Sequence, residues 1–344
     1  MTISTNSDER NPPAVTVVIP AYNSARYIGQ ALDSVYKQNF TDYEVIVVND
    51  GSEDHDELEQ VLRSHPVSVI YVSQENKGVS AARNAAIRIA KGEFYAQLDA
   101  DDQWTPDYLQ VQLEVLSKDP HIALVYPNAT IIRDDSTVAL EFMKVSPSEG
   151  EVNFHSLVRQ QCTVMTCVTA RMSAIREAGM FDENLRTCED FDLWLRIAKN
   201  VGRIVYHRRV LALYRRRQGS LSSDRVWMIR NLLTVFEKCA QAPDLSPAEK
   251  KTLNSEIVEN RARLRLLEGK RALSAGGASA ALVHFKEANE HLRSPKLVLV
   301  IFLLRTLPRL VVWSFGARER FLIKKPDHQL SGLDEPRVTH ESRI

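Results

Sequence analysis

Residues 15–50 read VTVVIPAYNSARYIGQALDSVYKQNFTDYEVIVVND. Val15–Ile19 and Glu44–Val48 are short, β-branched apolar runs that end in turn-forming residues, the pattern of buried strands. Between them Tyr27, Ile28, Ala31, Leu32, Val35 and Tyr36 recur at helical spacing and form one apolar stripe. A strand, a helix and a second strand in this order predict a right-handed crossover between parallel neighbours.

The alternation continues outward. Val67–Val72, Glu93–Leu98 and Ile122–Tyr126 read as strands, and Ala81–Ala90 and Pro106–Leu116 as helices. Thr105 is the expected N-cap of the latter helix, with Pro106 at its first position. The expected fold class is α/β, a Rossmann-like, mainly parallel sheet flanked by helices. Past about residue 128 the pattern weakens, returns as a helix at Cys188–Lys199, and from Val226 is helical throughout. The Gly and Ala positions of Ala262–Leu292 resemble one tetratricopeptide-like hairpin, or equally a plain helical pair. The expected organisation is a disordered tail over 1–14, one domain over 15–225, a helical extension over 226–294 and an apolar-basic segment over 295–344.

Composition narrows the partners. Lys+Arg and Asp+Glu both total 44, so no overall field favours nucleic acid. Cys162, Cys167, Cys188 and Cys239 lack metal-ligand spacing and read as reduced thiols of a cytoplasmic protein. The polar opening has no apolar stretch of a signal peptide. Leu297–Leu304 and Leu310–Phe315 are too short to span a bilayer, which takes about 20 residues. With Lys296, Arg305, Arg309, Arg318, Arg320, Lys324 and Lys325 beside them, they suit either peripheral contact with the inner membrane face or packing on the domain.

In an open parallel sheet, ligands sit beyond the carboxyl ends of the strands. The residues there are Pro20-Ala21-Tyr22-Asn23, Asn49-Asp50-Gly51-Ser52 and Asp99-Ala100-Asp101-Asp102. Four carboxylates at one edge require a counter-charge. Mg²⁺ or Mn²⁺ suits oxygen donors, and a diphosphate would complete its coordination. No glycine-rich dinucleotide or P-loop motif is present. Taken singly, Asp50-Gly51-Ser52 also reads as a turn, and the Asp cluster as a helix entry.

VTVVIPAYNSARYIGQALDSVYKQNFTDYEVIVVNDGSEDH, then QENKGVSAARNAAI and GEFYAQLDADD, resemble glycosyltransferase family 2, in order, over about Val15 to Ser222. That resemblance implies a GT-A fold and inverting transfer from a nucleotide-diphosphate sugar, most often a UDP-sugar. It implies an acceptor hydroxyl on a glycan or lipid-linked molecule of surface polysaccharide synthesis. Pro20, Ala21 and Tyr22 would line the nucleoside pocket, with Asp50 on the base and Arg83 near the base and diphosphate. Asp99 would lie at the ribose and metal, Asp101 would ligate the metal, and Asp102 would assist near the donor sugar or cap a helix.

Inverting transfer needs a base opposite the leaving group. Cys188-Glu189-Asp190-Phe191-Asp192-Leu193-Trp194 is similar to the family's ED motif, which makes Asp190 the base and Asp192 the alternative. Asp190 also suits a helix cap. Glu189 and Trp194 are possible donor or acceptor contacts, although Trp194 is most simply core. In Tyr214-Arg215-Arg216-Arg217-Gln218-Gly219-Ser220-Leu221-Ser222, Arg217 stands where relatives often carry a His. It suits a diphosphate clamp but cannot ligate a metal, so the third metal ligand is left open. A phosphotransferase would carry its DxD after the first strand, unlike this chain. A degenerate nucleotide-sugar-binding module is the alternative, supported by Arg217 and opposed by the presence of Asp50, Asp99, Asp101 and Asp190.

Overall fold

The computed structural model describes residues 12–133, 140–217 and 224–323, with backbone alone over 316–323. Most of the expected 1–14 tail, Gln218–Ser222, Lys324 and Lys325 lie outside the described residues, as do the side chains of Arg318 and Arg320. The chain divides into two compact units, residues 1–223 and 224–344.

The first unit opens with β1 (Val15–Ala21), α1 (Ala25–Tyr36), β2 (Tyr43–Asp50), α2 (His55–Ser64), β3 (Ile70–Gln74), α3 (Val79–Ile89) and β4 (Phe94–Gln97). The short β5 (Gln103–Trp104), α4 (Tyr108–Ser117) and the long β6 (Ile122–Arg133) follow. β7 (Leu140–Glu141), α5 (Phe142–Val145), α6 (Phe154–Val158), β8 (Thr169–Arg171), α7 (Met172–Glu177), α8 (Glu189–Asn200) and β9 (Arg203–Arg216) complete it.

The described strands form one sheet in the order β3-β2-β1-β4-β8-β6-β9-β5, with β7 on β6. β3, β2, β1 and β4 are parallel, as the crossover rule predicts. The far half is mixed, because β8 runs antiparallel to both β4 and β6. β6 and β9 are again parallel, with irregular register. Sequence reading left β5, β7, β8 and β9 unassigned. β5, β7 and β8 have only two or three residues each, too few for a periodic signal.

Tyr27, Ile28, Ala31, Leu32 and Val35 of α1 are buried, as their stripe requires, while Tyr36 at the helix end is exposed. Val17, Val18 and Ile19 pair with Val45, Ile46 and Val47 across β1 and β2, and all six, with Val15, are fully buried or nearly so. Burial of each such side chain contributes about 1.5–3 kcal/mol. Several boundaries need correction, and β6 runs to Arg133, well past the expected Tyr126. β3 begins at Ile70 rather than Val67. α4 begins at Tyr108, with Asp107 as N-cap, because Thr105 and Pro106 are used in the preceding turn: Thr105 C=O accepts from Tyr108 N–H, and Pro106 C=O from Asn39 N–H.

The second unit is helical: α9 (Arg225–Ala240), α10 (Pro247–Ser274), α11 (Ala278–Leu292), α12 (Pro295–Thr306) and α13 (Pro308–Ile323). Ser246 and Glu249 form a capping box that starts α10. Leu273, Ala281, Phe285, Ala288, Leu297 and Leu304 share one core, so α12 packs with the α10–α11 hairpin. No described helix is long and apolar enough to cross a membrane.

Candidate active site

β1 lies between β2 and β4, so the loops after these three strands share one sheet edge. The first two loops are tied to each other. Asn23 N–H donates to Ser52 Oγ at 3.1 Å, Glu53 N–H to Asn23 Oδ1 at 2.8 Å, and Ala25 N–H to Asp54 Oδ2 at 2.8 Å. Asn23 has φ +48°, a left-handed conformation that Asn tolerates. Pro20 and Ala21 end β1, and the Tyr22 ring beyond them is 49% exposed, an available face at the mouth.

Asp50 is held by donors from β3 and the turn after it. Its carboxylate accepts from Gln74 Nε2 at 2.7 Å, Lys77 N–H at 2.9 Å and Gly78 N–H at 2.8 Å. It thereby pins the 75–78 turn and leaves at most one of roughly four acceptor positions for a ligand. Asp50 is thus satisfied by donors of β3 and the turn after it, two of them backbone N–H groups, which leaves Asp99, Asp101 and Asp102 as the acidic cluster to be balanced by other charge.

Those three each meet an arginine. Arg83, on α3 and only 3% exposed, donates from Nη2 to Asp99 Oδ1 at 2.9 Å and from Nη1 to Glu189 Oε1 at 2.6 Å. Burial opposes its charge, but Asp99 and Glu189 outweigh that and raise its pKa. Arg217 Nε stands 2.7 Å from Asp101 Oδ2, a charge contact in which the N–H is not aimed at the oxygen. Asp102 Oδ1 accepts from Arg215 N–H at 2.8 Å, and Arg215 Nε donates to the Asp101 carbonyl at 3.0 Å. Asp102 is 1% exposed, with its pKa raised by burial, Asp99 and Asp101. It locks the acidic loop to β9, and the expected donor-sugar or helix-cap role is corrected accordingly.

Asp190 lies in the first turn of α8. Cys188, the N-cap, has φ +59°, a conformation costing a non-glycine residue about 1–2 kcal/mol. The turn it makes starts the helix at Glu189. Asp190 Oδ1 accepts from Phe191 N–H at 2.6 Å, and its pKa is pushed up to about 7 by burial and the Glu189 charge, against the pull of Arg83. A partly accessible carboxylate titrating near neutrality suits a general base. Asp192 instead pairs with Arg196 at 2.7 Å. Trp194, 1% exposed, packs edge-on to Phe181 and is core, not an acceptor wall. Glu189 is engaged with Arg83 rather than facing outward.

Three positions were not read as site residues. Asn84 holds Phe181 through its N–H at 3.0 Å and its C=O at 2.8 Å, anchoring the segment that leads into α8. Tyr27 lies under the guanidinium groups of Arg26, Arg215 and Arg217, 5.1 to 5.3 Å from its centroid. Gln30 accepts from Arg215 Nη2 at 2.8 Å. Asn84, in the quoted SAARNAA run, stood beside Arg83, while Tyr27 was read only as part of the α1 apolar stripe.

Among the described residues, no three or more His, Cys, Asp or Glu side chains are grouped to hold a metal unaided. Asp101 has its pKa raised first by burial and then by the Asp99 charge, against the pull of Arg217. The hard oxygen donors of Asp99 and Asp101 fit a Mg²⁺ or Mn²⁺ ion taking its other ligands from phosphate and water.

Residues 16–178 match the model of Glycosyl transferase family 2. A Rickettsia felis glycosyltransferase is 33% identical over 192 residues, covering 54% of this chain and 32% of the relative. Escherichia coli chondroitin synthase is 32% identical over 208 residues, covering 57% and 29%. The chain thus spans about a third of the length of these two relatives. Staphylococcus aureus TarS 1–349 in complex with UDP-GlcNAc superposes with TM-score 0.59 at 20% identity, covering 89% of this chain and 91% of that one. The Pyrobaculum calidifontis mannosyltransferase PcManGT, in complex with GDP-Man and Mn²⁺, gives 0.57 at 21%, covering 89% and 87%. At such identities these likenesses establish the GT-A fold alone.

Proposed function

From a chain whose residues 16–178 match the model of Glycosyl transferase family 2, we propose a sugar transferase using a nucleotide-diphosphate donor and inverting the anomeric carbon. The observation that carries this reading is the Asp99–Arg83–Glu189 chain of contacts, 2.9 and 2.6 Å long, which ties the acidic loop to the helix turn bearing Asp190. A donor-side carboxylate and a neutral-range base are thus held on one rigid bridge. Asp190 takes the proton from the acceptor hydroxyl as that oxygen attacks the anomeric carbon, and the diphosphate leaves on the opposite face. Arg217 and Arg215 neutralise charge on the departing phosphates. Tyr22, Pro20 and Ala21 border the nucleoside, with the turn held by Asp50 beside them. Asp99 and Asp101 would hold Mg²⁺ or Mn²⁺, which when bound supplies Lewis-acid stabilisation of the leaving group.

The UDP-GlcNAc and GDP-Man complexes of the structural neighbours support a nucleotide-sugar donor, UDP-linked in the first instance. The chondroitin and hyaluronan synthases among the relatives support a glycan or lipid-linked acceptor in polysaccharide synthesis. The test is a donor panel assayed for divalent-ion-dependent hydrolysis, with and without glycan acceptors. Binding of every donor without turnover would replace the enzyme by a binding module.

We further propose that α12 and α13 rest on an anionic lipid surface at the inner membrane face. Val298, Leu299, Phe302, Leu307, Leu310 and Trp313 are exposed, and between Pro295 and Phe315 the charged residues are Lys296, Arg305 and Arg309, all basic. Apolar side chains flanked only by cations match anionic headgroups over acyl chains. Co-sedimentation with phosphatidylglycerol vesicles, lost on Phe302→Ser with Trp313→Ser, is the expected result. Concentration-dependent dimers without vesicle binding would assign the face to a second copy.

A further inference from the structure

Arg83 and Arg217 both neutralise the acidic loop, but in different ways. Arg83 is 3% exposed and bonded to two carboxylates, so nothing short of unfolding that region frees it. Arg217 is 35% exposed at its side chain and meets one carboxylate, Asp101, itself 19% exposed. That contact lacks an aligned N–H, because Nε lies close to Oδ2 without pointing at it. Arg217 also shares the Tyr27 ring with Arg215 and Arg26, all within 5.3 Å of the centroid. Three guanidinium groups around one ring repel one another and favour an arriving anion.

A divalent ion on Asp101 cannot keep its neighbour, since two further positive charges would stand beside the guanidinium at contact distance. A diphosphate changes the balance, because guanidinium groups form strong paired hydrogen bonds with phosphate oxygens.

We propose that Arg217 is a displaceable counter-ion for Asp101, held there in the donor-free protein and drawn off by the donor's diphosphate, so that a divalent ion enters only together with nucleotide. The inference rests on the transferase reading, from which the metal and the diphosphate come. It makes Arg217 a positioning residue that controls the order of binding, a task an imidazole at this position would not perform in the same way.

The experiment is Mn²⁺ binding by calorimetry and by the electron-resonance signal of the free ion, with no sugar present. Wild type, Arg217→Gln and Arg217→Ala are compared alone, with UDP and with GDP, and folding of each variant is checked by circular dichroism. Without nucleotide, both variants are expected to bind Mn²⁺ at least about tenfold more tightly than wild type, the scale of one partly buried ion pair. Nucleotide should then improve wild-type Mn²⁺ affinity by a larger factor than it improves that of either variant. Equal nucleotide-free affinities, with Mn²⁺ binding normal in the presence of UDP or GDP, would overturn the counter-ion and leave the transferase reading intact. Absence of Mn²⁺ binding in all three proteins, even with nucleotide, would overturn the metal and the counter-ion together. Asp101→Asn serves as the control that assigns the bound ion to this loop.

Discussion

Arg83 and Glu189, 106 residues apart in the chain, meet at 2.6 Å and join the two halves of the candidate site. Through the second nitrogen of the same guanidinium, Asp99 is held as well. The bridge is buried, so its energetics follow those of interior ion pairs: removing one partner costs more than the pair contributes.

Arg83→Ala is therefore expected to destabilise the first unit by about 3–5 kcal/mol by stranding two carboxylates. Arg83→Lys keeps the charge but offers no planar fork to reach both partners, and should recover only part of the loss. Adding Glu189→Gln to Arg83→Ala should restore some stability. Denaturant unfolding of wild type, Arg83→Ala, Glu189→Gln and the double variant gives the coupling, and strictly additive effects would mean that the contact does not hold the site together.

Asp190→Asn should lower turnover by ~10²-fold or more while sparing nucleotide binding, the size usual for loss of a general base. In wild type, kcat/KM should fall as pH drops through about 7, where Asp190 takes up a proton. Stability moves in the opposite sense. Because the folded pKa of this acid is raised above its unfolded value, the folded state binds the extra proton between about 4 and 7, and wild type loses stability as pH rises through that window. Asn has no such loss, so the variant should be the more stable protein at pH 8 and lose that advantage near pH 4. Thermal scans across this range check it, and a parallel pH dependence in both proteins would count against the buried-base assignment.

At Gly51 φ is +71°, and a Cβ would stand 2.6 Å from Asn76 N. Gly51→Ala should thus push apart the loops that Asp50 joins, costing about 1–3 kcal/mol. Asp50→Ala frees two backbone N–H groups and should act on the same turn. Both changes are expected to weaken UDP or GDP binding more than they lower the turnover of bound donor. Titration calorimetry and steady-state kinetics separate the two, and unchanged nucleotide affinity would detach this turn from the donor site.

Gly269 on α10 lies against Phe285 of α11, where an added Cβ would come within 2.6 Å of the ring. Gly269→Ala should destabilise the second unit by about 1–3 kcal/mol through overpacking. Phe285→Leu in the same chain should relieve it. Stability of the double variant at or below that of Gly269→Ala would show that the hairpin is not closed at this point.

The sequence already carried the parallel half of the sheet, the α1 stripe and the helical character of the described residues from Val226 on. Each is written in local periodicity, where a few consecutive residues carry the signal. It also marked the loops after β1, β2 and β4, because strand ends in a parallel sheet are where ligands collect. The start of α4 was misread at Thr105 and Pro106, since tertiary partners, Asn39 among them, claimed the turn. β8, three residues long, had no pattern to show, yet its antiparallel entry changes the sheet from parallel to mixed.

Which carboxylates remain available was decided only by the tertiary structure. Asp50, Asp102 and Asp190 are identical in chemistry, and the motifs around them suggested different roles without showing which carboxylate partners from elsewhere in the fold would take up. Folding gave Asp50 to three donors of β3 and the turn after it, buried Asp102 against the Arg215 backbone, and left Asp190 with a single short bond and a raised pKa. The physical reason is that desolvation and ion pairing depend on groups brought close in space. Arg83, reaching across 106 residues to Glu189, is the clearest instance.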